Sequence, residues 1–448
     1  MAALSAWRSL KVAPREMSLR NTFKNGQCWC WNEVSGGEED ESMWCGVVGG
    51  AVYLLKQQPN DVLFQVLEAP PQQPQPQRPP RQEESLRRFL QLDTHMEPLK
   101  QRWTSGSQKV HQDMRTIVDS LPGMRVLRQD PLECLFSFMA SANNNITRIG
   151  HILMYWRVKW GTHVLTTNAT HDRIYTVEND PTYHEDIQKY VARYSHYQAK
   201  GQPLVDTSME ELSLRNKVHY FTFPSLNKLL TLNLSDFQAK DTGCGLGYRA
   251  QTTLQTVQLL HQLGGRDYLM QLRSEQDPHV VSTTLQQFAG VGPKVADCVS
   301  LFSLDQPSIV PADTHVVDIA ERDFGTTALY TACTSKSLTP TKRKMINNCF
   351  VSAFGSYAGW AHCLLFAAEL PVFEDCLPQA LVKENGVFKE MKKQRSKVLK
   401  EEQRRRKKKK KEEEEESGKG EESPEKKRKI GNHSYSTPKS TTSKYFKK

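Results

Sequence analysis

The feature that most constrains the fold of this 448-residue chain is a Gly-x-Gly turn between two helical stretches, at residues 285–298. The turn reads Gly290-Val-Gly292 and is followed by a proline and Lys294. Glycines at such a turn allow positive φ and let backbone amides approach a phosphate closely. The segment therefore predicts a helix–hairpin–helix that binds the DNA backbone without reading its sequence. A non-catalytic DNA clamp is an equally good interpretation of this motif alone.

A second constraint is the aspartate in the run Val310-Pro-Ala-Asp313-Thr-His, which follows the second helix of the hairpin. Its carboxylate is well suited to cap the N-terminus of a helix, and we expect it to do so. A lysine at the hairpin together with this aspartate is a more specific pattern than either residue alone. The pair favours a catalytic site over a clamp.

The composition is that of a chain with room for two domains and a tail, with 38% hydrophobic and 25% charged residues. No run approaches the roughly 18 apolar residues of a membrane span, so no membrane association is expected. The first 24 residues lack a long apolar stretch, which argues against a secretory signal. They carry five basic residues against the single acid Glu16, which leaves a mitochondrial form open.

The chain is expected to divide into two domains and a tail. Strand-forming residues around the Gly49-Gly50 turn predict an antiparallel hairpin, and Asp130 followed by proline predicts a capped helix start. The predicted parts are an α+β domain over 18–129 with a Pro/Gln-rich loop at 69–82, a helical domain over 130–382 with a polar insertion or loop at about 166–220, and a disordered charged tail over 383–448.

The charge of the chain is concentrated in the tail, because residues 400–448 contribute +8 of the net +10. Basic runs at 404–411 and 426–429 flank an acidic run at 412–416, and blocks of like charge repel and stay unfolded. The two basic runs predict a bipartite signal read by the nuclear import machinery, and hence a nuclear protein. A solvated tail without an address is the alternative.

The ten cysteines do not form the spacing of a metal site. Their closest pair is Cys28-x-Cys30, and no CxxC pair exists, so neither a zinc site nor an iron–sulfur cluster is expected. We predict no metal and no cofactor, with reduced thiols in a nucleus or cytosol.

Four further motifs complete the pattern, namely LRQDPLECLFSF at 127–138, SANNNITRI at 141–149, GLGYRA at 245–250 and GSYAGW at 355–360. With the hairpin lysine and Asp313, the chain resembles the 8-oxoguanine DNA glycosylases with AP-lyase activity, a branch of the helix–hairpin–helix glycosylase superfamily, over most of residues 18–381. The resemblance implies a mainly α fold with an N-terminal antiparallel-sheet domain. It implies base excision repair of 8-oxoguanine and related oxidised purines opposite cytosine, by a monomer acting on duplex DNA.

The resemblance assigns the chemistry to Lys294 and Asp313. The Lys294 amine would attack the sugar C1′ and form a Schiff base, from which β-elimination nicks the strand. Asp313 would stabilise the positive charge that develops on the sugar. Because the amine must be neutral to attack, we expect the pKa of Lys294 to be lowered by burial or by a cationic neighbour. Phosphate neutralisation at the hairpin is the alternative role for this lysine.

The resemblance also assigns the DNA contacts, because the damaged base must leave the stack to be reached. Arginine and asparagine suit the estranged cytosine, and an aromatic ring can fill the gap in the stack. Helix-capping asparagines and a phosphate-binding arginine are the alternatives. The assigned residues are Asn143, Arg148 and Arg249 for the cytosine, Tyr248 for the wedge, and Gly290, Gly292 and His315 for other DNA contacts.

The pocket for the damaged base is assigned, by the same resemblance, to Gly26, Cys298, Pro311, Asp313, His362 and Phe366, with His315 beside them. The Gly26 carbonyl would accept the N7–H that oxidised guanine has and guanine lacks, which discriminates strongly at a buried site. Cys298 and Phe366 would sandwich the base, although both also suit plain core packing.

One pocket residue departs from the family, since His362 stands where a glutamine is usual. The ordinary pKa of histidine, about 6.5, predicts that excision varies with pH between about 5.5 and 7.5. A non-catalytic helix–hairpin–helix scaffold protein is the second hypothesis for the whole chain.

Overall fold

The N-terminal part of the protein is built on an antiparallel sheet. The computed structural model describes residues 6–34, 42–67, 81–199, 217–238, 244–325 and 338–417. The sheet has the order β1-β5-β4-β3-β2, with strands β1 (Arg8–Ser9), β2 (Trp31–Val34), β3 (Met43–Val48), β4 (Ala51–Gln58) and β5 (Asp61–Leu67). Gly49 and Gly50 join β3 to β4 with φ of +59° and +81°, so the predicted hairpin is confirmed.

The fold begins before residue 18, the predicted start of the first domain. β1 pairs with β5, and Leu10 and Met17 are completely buried in the core under the sheet. The predicted start was wrong because these apolar residues are too few and too scattered to show a period.

Helices make up most of the remaining chain, as predicted. The N-terminal ones are α1 (Leu19–Phe23), α2 (Arg81–Phe89), α3 (Met96–Thr104), α4 (Lys109–Ser120), α5 (Pro131–Ser141), α6 (Ile146–Trp160) and α7 (Tyr183–Ala199). Those that follow are α8 (Leu226–Leu230), α9 (Leu234–Gln238), α10 (Arg249–Gln262), α11 (Arg266–Leu272), α12 (Pro278–Leu285), α13 (Pro293–Ser303), α14 (Thr314–Asp323), α15 (Pro340–Phe354), α16 (Ala358–Ala367) and α17 (Gln379–Ser417). Asp130 caps α5 as expected, its Oδ1 accepting from the amide of Leu132 at 3.0 Å.

The predicted division at residues 129 and 130 does not separate two bodies, because Met1–Asn385 form one compact unit. Helices α3 and α4 precede the division but contribute Trp103 and Met114, both completely buried, to the helical core. Apolar helical periodicity marks a buried face without showing which core that face joins. The predicted fold class, mainly α with an N-terminal antiparallel sheet, is confirmed.

The segment predicted to be a polar insertion or loop, about 166–220, contains strands and a helix where it is described. From residue 163 the chain forms a second antiparallel sheet of order β7-β6-β8, with β6 (His163–Asn168), β7 (Ile174–Tyr175) and β8 (Lys217–Phe221). Helix α7 lies between β7 and β8 in the chain. Leu165 and Tyr220 of this sheet pack with Cys45 and Leu54 of the first sheet. The loop prediction was therefore wrong for the described residues.

Polar residues buried in this small sheet explain why its sequence gives no apolar period. Lys217 is 4% exposed and forms ion pairs with Asp180 and Asp186. Burial lowers the pKa of His163 and of His219 to about 4, so both pack as neutral rings at physiological pH. A strand that buries lysine and histidine reads as a polar segment.

The charged tail is helical as far as Ser417, so the predicted disorder is wrong for residues 383–417. Glutamate, lysine, arginine and glutamine are strong helix formers, and residues 387–417 contain neither glycine nor proline. This local preference outweighs the repulsion within each charge block. Gly386–Lys448 form a unit of their own. The second basic run, and residues 69–80 of the Pro/Gln-rich loop, lie outside the described residues, while residues 81 and 82 begin α2.

One helical stretch of the described residues, Pro340–Ala367, is long and apolar enough to cross a membrane by length and composition. More than half of its most apolar 18 residues are buried within the protein, and the chain turns at Gly355, between α15 and α16. The same test is passed by core helices of soluble proteins.

Candidate active site

The predicted hairpin joins α12 to α13. Gly290 has a φ of +81°, which favours glycine, and a Cβ there would lie only 2.7 Å from the Thr252 hydroxyl of α10. Both the backbone conformation and the close contact therefore require glycine at this position. Gly292 is the N-cap of α13 with a φ of −84°, which any residue adopts, so the expected positive φ is wrong there. A Cβ on Gly292 would meet nothing within 4 Å, so the start of α13 has open space beside it. This space suits the approach of a phosphate.

Lys294 lies in the first turn of α13 and faces Asp313. Its Nζ is 4.0 Å from Oδ2 of Asp313. The other carboxylate oxygen, Oδ1, accepts from the amides of His315 and Val316 at 3.0 and 3.2 Å and so caps α14. The helix cap therefore fixes the carboxylate and leaves Oδ2 directed toward the lysine.

The pKa of Lys294 is raised above its ordinary value, first by the Cys298 sulfur and then by the Asp313 carboxylate, while burial acts in the opposite direction. Burial raises the pKa of Cys298 to about 12, so its thiol is uncharged at neutral pH and Asp313 is the charged partner. The expected lowering of the lysine pKa is therefore wrong for the free protein. The sequence alone does not show that Lys294 Nζ lies 4.0 Å from Asp313 Oδ2, or that the charge nearest to the lysine is negative.

The residues predicted to hold the damaged base surround one small cavity of about 60 Å³. Ligand pockets usually measure about 300–1,000 Å³, so this one must open to admit a purine. Gly26, Lys294, Cys298, Pro311, Asp313, His362 and Phe366 all line it, from segments that are far apart in the chain. The lining residues that sequence reasoning missed are Asn25, Gln27, Phe138, Phe302 and Cys363.

Two of the missed residues form an aromatic wall, and one of them approaches the lysine. The rings of Phe138 and Phe302 stack at 5.3 Å with 10° between their planes, and Lys294 Nζ is 5.9 Å from the centre of the Phe138 ring. Phe138 is the last residue of the LRQDPLECLFSF motif, so the sequence identified this position as part of the family pattern but did not predict its role in the pocket. Across the cavity, Phe366 lies edge-on to His315 at 5.6 Å. His315 is exposed, and this ring contact places it beside the pocket.

The turn that presents Gly26 is fixed by Gln27, which is 2% exposed. The Gln27 amide donates to the carbonyls of Thr22 and Arg125 at 3.0 and 2.8 Å and accepts from the amide of Leu127 at 2.8 Å. Gly26 itself has a φ of +79°, which favours glycine. A fully bonded buried amide rigidifies the backbone around it.

His362 is 5% exposed, and its ring lies 6.0 Å from that of Phe366. Its Nε2 is buried and has no hydrogen-bond partner in the described part of the chain. Burial lowers the pKa of His362 to about 4, although the Asp313 carboxylate acts in the other direction. The expected titration between about pH 5.5 and 7.5 is therefore wrong for the free protein, because a reference pKa applies to a solvated ring.

Replacing His362 by glutamine is expected to leave the shape of the pH–rate profile unchanged between about pH 5.5 and 7.5. The ring protonates only as the pH falls through about 4, so it stays neutral over that range. The check is single-turnover excision by both proteins at matched pH. A wild-type to variant ratio that changes tenfold over the range would show that the ring titrates there.

The predicted cytosine contacts and the wedge residue cluster at the starts of α6 and α10. Asn143 has a φ of +53°, and Arg148 donates to the carbonyl of Gly245 at 3.1 Å. Arg249 donates to the carbonyl of Ala142, and its guanidinium lies 5.4 Å from the centre of the Tyr248 ring. Tyr248 is 71% exposed. An aromatic side chain held in water in this way is available to stack on bases.

Helix capping, the alternative role for the asparagines of the SANNNITRI motif, is confirmed for Asn145. Asn145 is the N-cap of α6 and accepts from the Arg148 amide at 2.8 Å. Among the described residues, no group of three or more His, Cys, Asp or Glu side chains could hold a metal ion.

Comparison with known proteins agrees with this geometry. The family model of the 8-oxoguanine DNA glycosylase N-terminal domain matches residues 9–135. The N-glycosylase/DNA lyase OGG1 of Arabidopsis thaliana is 32% identical over 369 residues, which cover 82% of this chain and 80% of the plant protein. The N-glycosylase/DNA lyase of Saccharomyces cerevisiae is 29% identical over 266 residues, covering 55% and 57%.

Solved structures share the fold. The Clostridium acetobutylicum 8-oxoguanine glycosylase/lyase in its apo-form has a TM-score of 0.55 at 21% identity, over 81% of this chain and 99% of the bacterial one. Its complex with duplex DNA that contains cytosine opposite 8-oxoG has a TM-score of 0.53 at 21% identity, over 81% and 97%. The extent of the match to the plant protein decides the family: this chain belongs to the N-glycosylase/DNA lyases of the 8-oxoguanine DNA glycosylase family.

Proposed function

We propose that this enzyme, a DNA glycosylase with AP-lyase activity, removes 8-oxoguanine opposite cytosine with Lys294 as its nucleophile. The observation that carries the proposal is the pair of Lys294 Nζ and Asp313 Oδ2, 4.0 Å apart at the wall of the cavity that Gly26 also lines. A nucleophile, a fixed carboxylate and a recess for the base are the parts that this reaction requires, and the recess must widen to admit a purine.

The reaction begins with the loss of the ammonium proton from Lys294, because only the neutral amine can attack. As Nζ bonds to C1′, the glycosidic bond breaks, and the departing base takes the bonding electron pair and one of the two protons of the attacking amine. The second Nζ proton passes to the ring oxygen as the bond between C1′ and that oxygen breaks, which opens the sugar to a Schiff base. Loss of a proton from C2′ expels the 3′ phosphate, which nicks the strand. The Asp313 carboxylate stabilises the positive charge on the sugar as the base departs.

Recognition of the base would fall to the other residues around the cavity. The Gly26 carbonyl would accept the N7–H of the oxidised ring, and neutral His362 would offer its unpartnered Nε2 to the Watson–Crick edge, since both residues line the cavity. Cys298 and Phe366 would enclose the two faces of the ring. Burial makes each mismatched hydrogen bond costly, which is the basis of discrimination against guanine.

Recognition of the partner strand would use Asn143, Arg148 and Arg249, which can satisfy the hydrogen-bonding groups of cytosine. Their backbone partners, Ala142 and Gly245, tie the two segments together before DNA arrives. Preorganisation of this kind lowers the entropy lost on binding.

The proposal is tested by the release of free base from an 8-oxoguanine·cytosine duplex, with the matched guanine·cytosine duplex as control. We expect release from the damaged duplex, followed by strand cleavage, and none from the control. A protein that binds both duplexes but releases nothing would support the non-catalytic scaffold instead.

We also propose that the tail directs the protein to the nucleus. Arg404, Arg405 and Arg406 are exposed on α17, at the start of the first basic run. In the body, Leu10, Met17 and Leu19 are completely buried, so a cleavable mitochondrial presequence that extended past them would remove part of the core.

Removal of residues 404–448 is expected to shift the protein from nucleus to cytoplasm while catalysis on short duplexes stays nearly intact. Non-specific DNA affinity should fall and depend less on salt, because most of the net positive charge of the chain is lost. Fluorescence imaging and salt titrations measure the two effects. A truncated protein that stays fully nuclear would refute the import signal.

A further inference from the structure

The side chain of Ile146 lies directly against Gly26. A Cβ built on Gly26 would be 3.1 Å from Cδ1 of Ile146 and 3.7 Å from its Cγ1. Ile146 is the first residue of α6 and is 43% exposed, although it is a large apolar residue. The proposed reader of the damaged base therefore rests on a side chain from another segment.

The opposite side of the Gly26 turn is fixed within the core. The side-chain amide of Gln27 makes the three hydrogen bonds described above. The backbone carbonyl of Gln27 also accepts from the Gln129 side chain at 2.7 Å. The Asn25 side-chain oxygen accepts from the backbone amide of Gln27 at 3.2 Å. The turn is thus held by a buried network on one side and by the half-exposed Ile146 on the other.

Ile146 belongs to the segment that carries the proposed cytosine contacts. It lies between Asn145, which caps α6, and Arg148, which donates to the Gly245 carbonyl at 3.1 Å. Arg249 holds the same segment through the carbonyl of Ala142. A movement of Asn143, Arg148 or Arg249 therefore reaches Ile146 through the backbone of one short turn.

We propose that Ile146 is a specificity-determining positioning residue that couples the identity of the opposite base to the Gly26 carbonyl. With cytosine opposite the lesion, the contacts to cytosine hold the segment in place, and Ile146 keeps the Gly26 carbonyl aligned with the N7–H of the damaged base. With adenine opposite, the segment shifts, the support at Cδ1 is lost and the acceptor moves. Hydrogen bonds weaken steeply with misalignment, so a small shift suffices. This inference rests on the proposed function.

The test uses Ile146→Val, which removes Cδ1, and Ile146→Ala. Single-turnover base release is measured on 8-oxoguanine opposite cytosine and opposite adenine. We expect the cytosine-to-adenine rate ratio to fall by about tenfold for alanine, less than the roughly 100-fold that a misplacement of 1 Å can cost, with valine between. Cleavage at a preformed abasic site, which needs Lys294 but not Gly26, should be unchanged.

The matched control is Leu234→Ala, which truncates a similar apolar side chain that is 36% exposed on α9. It should keep the wild-type ratio. Equal losses opposite both bases, or an unchanged ratio in both Ile146 variants, would overturn the inference. If the wild-type protein releases no base, the proposed function itself has failed, so the two failures are distinguishable.

Discussion

Lys294→Gln should abolish base release from 8-oxoguanine·cytosine duplex while leaving binding to that duplex measurable. An amide has no nucleophilic nitrogen, so the covalent route is lost, and removal of a nucleophile costs more than about 10³-fold in comparable enzymes. Glutamine retains much of the length of lysine and can still donate toward the Asp313 carboxylate. The measurement is single-turnover release, with duplex binding determined in parallel.

The matched control for this variant is Lys344→Gln. Lys344 lies on α15 and has no role in the proposed site. It should keep wild-type rates. Base release by Lys294→Gln at more than a tenth of the wild-type rate would remove this lysine from the mechanism.

Asp313→Asn is expected to slow base release by about 10²-fold with little loss of stability. Asparagine caps helices as well as aspartate does, so the bonds to the amides of His315 and Val316 can persist while the charge is removed. Asp313→Ala removes the cap as well and should lower stability by about 1 kcal/mol. Single-turnover kinetics and thermal unfolding together separate the electrostatic role from the capping role.

The same variant makes a signed prediction for pH. The carboxylate raises the pKa of Lys294, so its removal lowers that pKa and the neutral amine appears at lower pH. The rate of Asp313→Asn should therefore reach its alkaline plateau at a lower pH than the wild-type rate. An unchanged plateau position, or a rate within threefold of wild type, would show that the carboxylate does not act on the lysine.

The local features of this fold could be predicted where a few adjacent residues determine them. The Gly49-Gly50 hairpin, the Asp130 cap and the hairpin at Gly290 each depend on the residues at the turn itself. The pocket is different, since Gly26 and His362 are separated by most of the chain and meet only in the folded protein. Their grouping was predicted through the family resemblance and not through pattern.

Three of the errors in prediction share a physical cause, which is that contacts between distant segments decided the outcome. The second sheet buries Lys217 between two aspartates, and such a strand shows no apolar alternation. The pKa of Lys294 and the pKa of His362 both depend on burial and on the distance to Asp313. The role assigned to Lys294 predicted a lowered lysine pKa, and the ordinary pKa of histidine predicted titration near neutral pH; both predictions were wrong for the free protein.

The central claim is that Lys294 forms a covalent Schiff base with the sugar. Borohydride reduction during turnover of 8-oxoguanine·cytosine duplex, followed by proteolysis and mass spectrometry of the trapped peptide, locates the attacking residue. We predict a single stable protein–DNA adduct, on Nζ of Lys294. An adduct on another residue, or base release at full rate with no adduct, would contradict the mechanism.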